Sequence, residues 1–257
     1  MTTRPEVAFR ERGTGETVLF LNGLGMTATG WNRQLAALSD RFRCIAWDMP
    51  GYGDSPLPPE GVTFPLLADA VAGLLDAVGV EEAHLVGLSL GGQVALHAAL
   101  AHPGRVRSLA LLDTSAAFGL DGTDPVAWMR LRLDPLDRGV TPAAMAEPVL
   151  RSIMAPDVTP AVVAEAAASM ARISAAGLRA SVVNLPTHDV RDRLGEIACP
   201  TLVVVGELDT ETPPAYAAML ARGIAGARLE VVPGVGHIVN LEAPAAVNRL
   251  LRHHLVP

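Results

Sequence analysis

Short apolar runs alternate with helical patterns through the first 115 residues, and this alternation limits the fold more than any other feature. "EVAFRE" and "TVLFLN" read as strands, "GWNRQLAALSD" as a helix and "RCIAWD" as a strand. "FPLLADAVAGLLDAVG" has helical periodicity, "AHLVGL" is a strand, "GGQVALHAALAHP" a helix and "VRSLALLD" a strand. Strands alternating with helices imply a mainly parallel sheet covered on both faces. From about Ser115 to Leu185 the rhythm breaks into an Ala-, Met- and Pro-rich stretch with helical segments such as "DPVAWMRLRL" and "PAVVAEAAASMARIS". It resumes with "CPTLVVVGELD", a helix in "PPAYAAMLARG", the strand "ARLEVVP" and a final helix in "APAAVNRLLRHHL". A helical block inserted into such a domain reads as a lid over the sheet's C-terminal edge, where open α/β sheets bind ligands.

Length and composition agree with one α/β domain carrying an insertion: 257 residues, half of them hydrophobic. The formal charge of −7, with basic residues scattered along the chain, argues against a nucleic-acid partner. No segment offers the roughly 18 uninterrupted apolar residues of a membrane span. "MTTRPEVAFRERGTGE" lacks a secretory apolar region. Cys44 and Cys199 lack metal-ligand spacing and read as reduced, buried thiols, which points to a cytoplasmic location.

"LVGLSLGGQVAL" contains G-x-S-x-G, from Gly87 to Gly91, between a strand and a helix. Chemistry gives that context its meaning. A serine on a turn tight enough to aim its hydroxyl outward needs neighbours without bulk two positions away. The helix that follows directs its N–H groups toward the place where negative charge develops. The hydroxyl also needs a base, and the base an orienting acid. His84 lies in a strand, and His97 and His102 belong to the helix after the serine. His188 precedes "DVRDRL", and His253 and His254 read as solvated in the last helix. His237, in the glycine-flanked "VVPGVGHIVNLEAP", is the candidate base. Asp209, directly after a strand in "VVVGELDTETPP", is the candidate acid, with Asp113 at the end of "LALLD" as rival; Glu207 reads as a loop or lid contact.

With "FLNGLGMTATGW", "AWDMPGYGDS", "VGLSLGGQVAL", "VVVGELDTETP" and "VGHIVNLEAP" in this order, the chain resembles the α/β-hydrolase superfamily from end to end. The resemblance implies an α/β-hydrolase fold: a mostly parallel eight-stranded sheet flanked by helices, with a helical cap after the sixth strand. The core would be residues 1–115 and 186–257, and the cap residues 116–185. Ser89 is implied as nucleophile, Asp209 as acid and His237 as base. By the match of "LNGLGMT" to the family's oxyanion loop, the backbone N–H groups of Leu24 and Leu90 form the oxyanion hole. Asn22 stands where His is usual before the glycine, and together with "GLSLGG" this looks like the 3-oxoadipate enol-lactonase branch. "DMPGYGDS" matches a turn that is mainly structural.

Asn22, Gly23, Phe118, Trp128, Met129, Met145, Met154 and Ile238 are candidates for an apolar substrate pocket, and Met170 belongs with the cap residues. Arg130, Arg132 and Arg151 read as solvated. The expected activity is hydrolysis of an ester or lactone of a small, mainly apolar molecule through an acyl-enzyme, with no metal and no cofactor. The same residues are compatible with C–C bond hydrolysis of vinylogous diketones, with a haloperoxidase-like side activity, and with a ligand-binding protein on a hydrolase scaffold. A small-molecule substrate is the only partner implied, and monomer or homodimer stays open.

Overall fold

The structure, a computed structural model, describes residues 6–255; residues 1–5 and 256–257, at the ends of the expected core, lie outside the described residues. Strands β1 (Phe9–Arg12) and β2 (Glu16–Leu21) lead through a 3-10 turn at Ala28–Trp31 into α1 (Asn32–Leu38). Then come β3 (Phe42–Trp47), α2 (Phe64–Ala77), β4 (Ala83–Leu88), α3 (Leu90–Ala101) and β5 (Val106–Leu112). Four helices follow: α4 (Pro125–Asp137), α5 (Pro142–Ile153), α6 (Pro160–Met170) and α7 (Ala175–Asn184). The chain returns through β6 (Thr201–Gly206), α8 (Pro214–Gly223), β7 (Arg228–Val232), α9 (Val239–Glu242) and α10 (Pro244–His254).

The sheet runs β1-β3-β2-β4-β5-β6-β7, with β1 antiparallel to β3 and every other pairing parallel. Among the described residues it has seven strands, where the family resemblance implied eight. The helical insert therefore follows the fifth strand, not the sixth. The apolar runs themselves predict these seven strands. The missing one has no counterpart because a single strand precedes β2 among the described residues.

Position in the sheet explains each strand's composition. In β4 and β6 all six residues are buried, as a strand covered by helices on both faces requires. Edge strand β1, "FRER", is exposed throughout. The insert helices are delimited by caps. Asp124 accepts from the N–H groups of Val126 and Ala127 at 2.7 and 3.1 Å, Thr141 from Ala144 at 3.3 Å and Ser174 from Gly177 at 3.0 Å. Pro125, Pro142 and Pro160 each stand first in their helix, where a missing N–H costs nothing.

The "DMPGYGDS" turn is structural, as expected. The Asp48 carboxylate accepts from the N–H of Ala28 at 2.8 Å and of Asp54 at 3.1 Å, and the Ser55 hydroxyl donates to the Asp48 carbonyl at 2.6 Å. Cys44 is buried, Cys199 half-buried, and both are free thiols. His254 departs from its expected solvated position: its Nε2 lies 2.8 Å from the Leu109 carbonyl, so it is docked against the sheet.

Leu111, fully buried in β5, tests this packing. Leu111→Ala is expected to lower unfolding free energy by about 2–5 kcal/mol in chemical denaturation, through lost burial and the cavity left behind. A loss well under 1 kcal/mol would contradict the two-faced core.

Candidate active site

Ser89 joins β4 to α3 with φ 51° and ψ −119°, a conformation that L-residues other than glycine rarely adopt. Its surroundings fix that geometry. The Ser89 N–H donates to the Leu112 carbonyl at 2.8 Å. The Ser89 carbonyl accepts from Gly92 N–H at 2.8 Å and from the Thr114 hydroxyl at 2.7 Å. The flanking glycines answer two different contacts. A Cβ at Gly87 would run into the Gly91 carbonyl across the turn, and a Cβ at Gly91 would run into the Leu21 carbonyl at the end of β2. The first allows the turn, and the second lets it pack against the loop that follows β2.

His237 Nε2 lies 3.0 Å from Ser89 Oγ, and His237 Nδ1 lies 2.9 Å from Asp209 Oδ2. Asp209, on the loop after β6, is held in place. Its Oδ1 accepts from the N–H groups of Glu211 and Thr212 at 2.8 and 3.0 Å, and its Oδ2 accepts from the Thr212 hydroxyl at 2.8 Å. Because Oδ2 is an acceptor, Nδ1 carries the proton and donates, which leaves Nε2 free to accept from the serine when the imidazole is neutral. Burial opposes ionisation of Asp209, but His237 and the hydrogen bonds from Thr212 overcome it and hold the carboxyl below its usual range. Burial alone would also lower the proton affinity of His237. The carboxylates of Asp209, Asp113 and Glu211 reverse that and raise its pKa to about 9.

Asp113, the rival acid, is fully buried at the end of β5 with φ 43°. Its oxygens accept from the N–H groups of Gly206 and Val239 at 2.9 Å each. It thus ties the strand leading to Asp209 to the helix α9 behind His237. Burial, and next the charge of Asp209, push its pKa well above the usual carboxylate range. Glu207 makes a loop contact, accepting from Gly234 N–H at 2.9 Å.

The other buried and half-buried histidines have separate partners. His188 Nε2 faces the Ser115 carbonyl at 2.9 Å and so donates to it; His188 Nδ1 then accepts from His97 Nε2 at 3.1 Å. Burial holds both rings neutral, with pKa values lowered to about 4. His84 lies 2.7 Å from the Ser108 hydroxyl, inside the sheet.

Glu242 had no role assigned from the sequence, yet it fixes the backbone on both sides of His237. One oxygen accepts from the N–H of Ala155 at 2.8 Å and of Gly236 at 3.1 Å, and the other from Ile238 N–H at 2.9 Å. Two of these donors flank His237, whose own N–H donates to the Ile153 carbonyl at 2.9 Å. A lone acidic residue five positions after a candidate base is too weak a signal to read without the fold.

A cavity of about 340 Å³ opens over Ser89 and His237. Of the expected pocket residues it is lined by Gly23, Phe118, Trp128 and Ile238, but not by Asn22, Met129, Met145 or Met154. Asn22 is a loop tie: its amide donates to the Met26 carbonyl, and its Oδ1 accepts from Met49 N–H at 3.3 Å. The three methionines lie on helix faces or ends turned into packing. On α4 the cavity face is Trp128, Leu131 and Arg132, so Met129 is rotated away; on α5 it is Val149 and Ile153, and Met154 is 5 % exposed in the core just beyond. Met170 packs beside Gly25. Arg132, expected to be solvated, lines the cavity instead. The N–H groups of Leu24 and Leu90 find no acceptor among the described residues; Leu24 lines the cavity, and Leu90 follows Ser89 as the first residue of α3.

Residues 16–244 match the family described as the alpha/beta hydrolase fold, and the chain belongs to that family. Among curated proteins it is 32% identical over 96% of its length to a dihydrolipoyllysine-residue acetyltransferase component of the acetoin cleaving system from Cupriavidus necator, and it spans 65% of that longer protein. It is 29% identical to 3-oxoadipate enol-lactonase 2 of Acinetobacter baylyi, over 90% of this chain and 85% of that one. Among solved structures, a thermophilic esterase from Thermogutta terrifontis superposes with a TM-score of 0.89 at 31% identity, covering 98% of this chain and 93% of that one.

The charges around His237 predict its titration. Nitrogen chemical shifts of the imidazole, followed against pH, should report protonation persisting through neutrality with a midpoint near 9. Asp209→Asn removes the carboxylate that favours the cation, so the midpoint should move down. A midpoint at or below 6.5 in the unsubstituted protein would contradict the electrostatics described.

Proposed function

We propose that the protein is a serine hydrolase that cleaves a carboxylic ester or lactone of a small, mainly apolar molecule through an acyl-enzyme. The observation that carries this reading is the unbroken chain Ser89 Oγ–His237–Asp209, at 3.0 and 2.9 Å, on the floor of a cavity. The esterase and enol-lactonase relatives support it. So does the cavity's lining by Met26, Leu88, Phe118, Trp128, Val149, Ile153 and Leu185.

In its neutral form, whose share grows as pH rises toward 9, His237 accepts the Ser89 proton at Nε2 as Oγ forms a bond to the substrate carbonyl carbon. The electron pair displaced onto oxygen is held by the N–H groups of Leu24 and Leu90, which have no competing acceptor among the described residues. Collapse of this intermediate expels the alcohol oxygen, which takes the proton from His237; in a lactone it stays tethered to the acyl group. Water then attacks the acyl carbon, giving its proton to His237. The second intermediate releases the acid, and the proton returns to Ser89. Asp209 holds the imidazole tautomer and stabilises its cationic form throughout. In this reading residues 116–185 act as a cap over a core of residues 1–115 and 186–257.

Ser89→Ala should abolish hydrolysis of p-nitrophenyl butyrate, and a fluorophosphonate should label the parent protein at Ser89 by peptide mass spectrometry. Asp209→Asn should reduce kcat by about 10⁴-fold, as loss of the orienting acid does in such triads, and Asp113→Asn by much less. Unchanged turnover in Ser89→Ala sinks the mechanism. A folded protein that takes no adduct is a binding protein instead. Greater loss in Asp113→Asn than in Asp209→Asn reverses the assignment of the acid.

A further inference from the structure

The cavity above Ser89 is walled by apolar side chains such as Phe118 and Trp128 and by polar ones such as Gln93 and Ser115, and charged groups stand at its rim. Among the described residues lining it are one arginine, Arg132, and two carboxylates besides the triad, Asp121 and Glu211. His237 also lines it, but its charge is matched by Asp209 at 2.9 Å. Arg132 is held on three sides. Its guanidinium lies 3.9 Å over the Trp128 ring, Nη1 donates to the Trp128 carbonyl at 3.4 Å, and Nη2 pairs with Glu211 Oε2 at 3.2 Å. The two side chains of the pair are 24% and 37% exposed, so it stands where the cavity meets solvent. Glu211 is anchored from behind, because its N–H donates to Asp209 Oδ1. Asp121 accepts from the Thr123 N–H and hydroxyl at 3.0 and 2.6 Å.

We propose that Glu211, by holding Arg132, sets the charge specificity of the site: it excludes substrates whose acyl chain ends in a carboxylate and admits uncharged ones. The inference rests on the hydrolase reading and deepens it. A guanidinium stacked on an indole at the mouth of a cavity is a ready site for a carboxylate, with planar donors already oriented. Glu211 occupies that site. With it in place the rim is net negative, and an incoming carboxylate meets Asp121 and Glu211 with no unpaired cation to receive it. In a partly desolvated cavity this repulsion is stronger than in bulk water. Discrimination thus comes from an element that repels the wrong substrate, beside the apolar walls that attract the right one.

The test compares two esters of equal chain length, p-nitrophenyl hexanoate and mono-p-nitrophenyl adipate, by kcat/KM. The ratio cancels any effect of Glu211 on His237, because both esters use the same base. In the parent protein the hexanoate should be favoured by roughly tenfold or more. Glu211→Gln should raise the adipate relative to the hexanoate by roughly tenfold, because Arg132 is then free to bind the carboxylate. Adding Arg132→Gln to that variant should remove the gain. A parent preference for the adipate overturns the inference, and so does a ratio that Glu211→Gln leaves unmoved while both esters are hydrolysed. Hydrolysis of neither ester overturns the hydrolase reading, and the charge specificity with it.

Discussion

The fold holds a serine in a backbone conformation that serine does not favour, and the surrounding architecture follows from that requirement. A non-glycine residue at φ 51° costs of the order of 1–3 kcal/mol and persists only where its surroundings determine it. Here the determination passes from strand to strand. Ser89, after β4, donates its N–H to Leu112 at the end of β5; Asp113, next in the chain and also at positive φ, donates its own to Val204 in β6. Gly206 N–H returns to the Asp113 carboxylate, and Glu207 N–H, after β6, goes to Val232 at the end of β7. The strand ends hook onto one another across the sheet. Serine, acid and histidine loops leave the same edge at heights fixed by that stagger.

Two buried carboxylates beside one imidazole divide the work by their partners. Asp209 touches the ring and is satisfied by its own loop, whereas Asp113 touches only backbone N–H groups and acts on His237 through space. With Glu211 they raise the ring's proton affinity more than burial lowers it. An imidazole of this kind favours its cationic form, the form that the proposed mechanism makes while the serine attacks.

Much of this was legible in the sequence because it sits at the ends of strands. A strand fixes where its last residue points, and a glycine-flanked turn needs few other residues to define it. Ser89, Asp209 and His237 could therefore be singled out as one cluster from local signals and chain order, as could all seven strands; the expected eighth came from family resemblance alone. The insert was less readable. Which side of a helix meets a cavity depends on how the helix is rotated against its neighbours. Trp128, Leu131 and Arg132 share a face by their spacing of three and four, but nothing local says that this face, and not the one bearing Met129, looks inward. Arg132 was misread for that reason. Glu242 was missed for another: its three donors come from two segments more than 80 residues apart, with Ala155 87 positions from it in the chain.

That same glutamate sets a mechanical limit on the insert. Its oxygens join Ala155, just past α5, to the backbone on both sides of His237, and Ile153 accepts the N–H of His237 itself. If α5 lifts from the sheet, it pulls the imidazole's backbone support with it. This wall of the cavity therefore cannot serve as a door while the relay stays assembled. On α4, the Arg132–Glu211 pair joins the helix to the loop that carries Asp209. The end of α5 is thus bolted to the segment that carries His237.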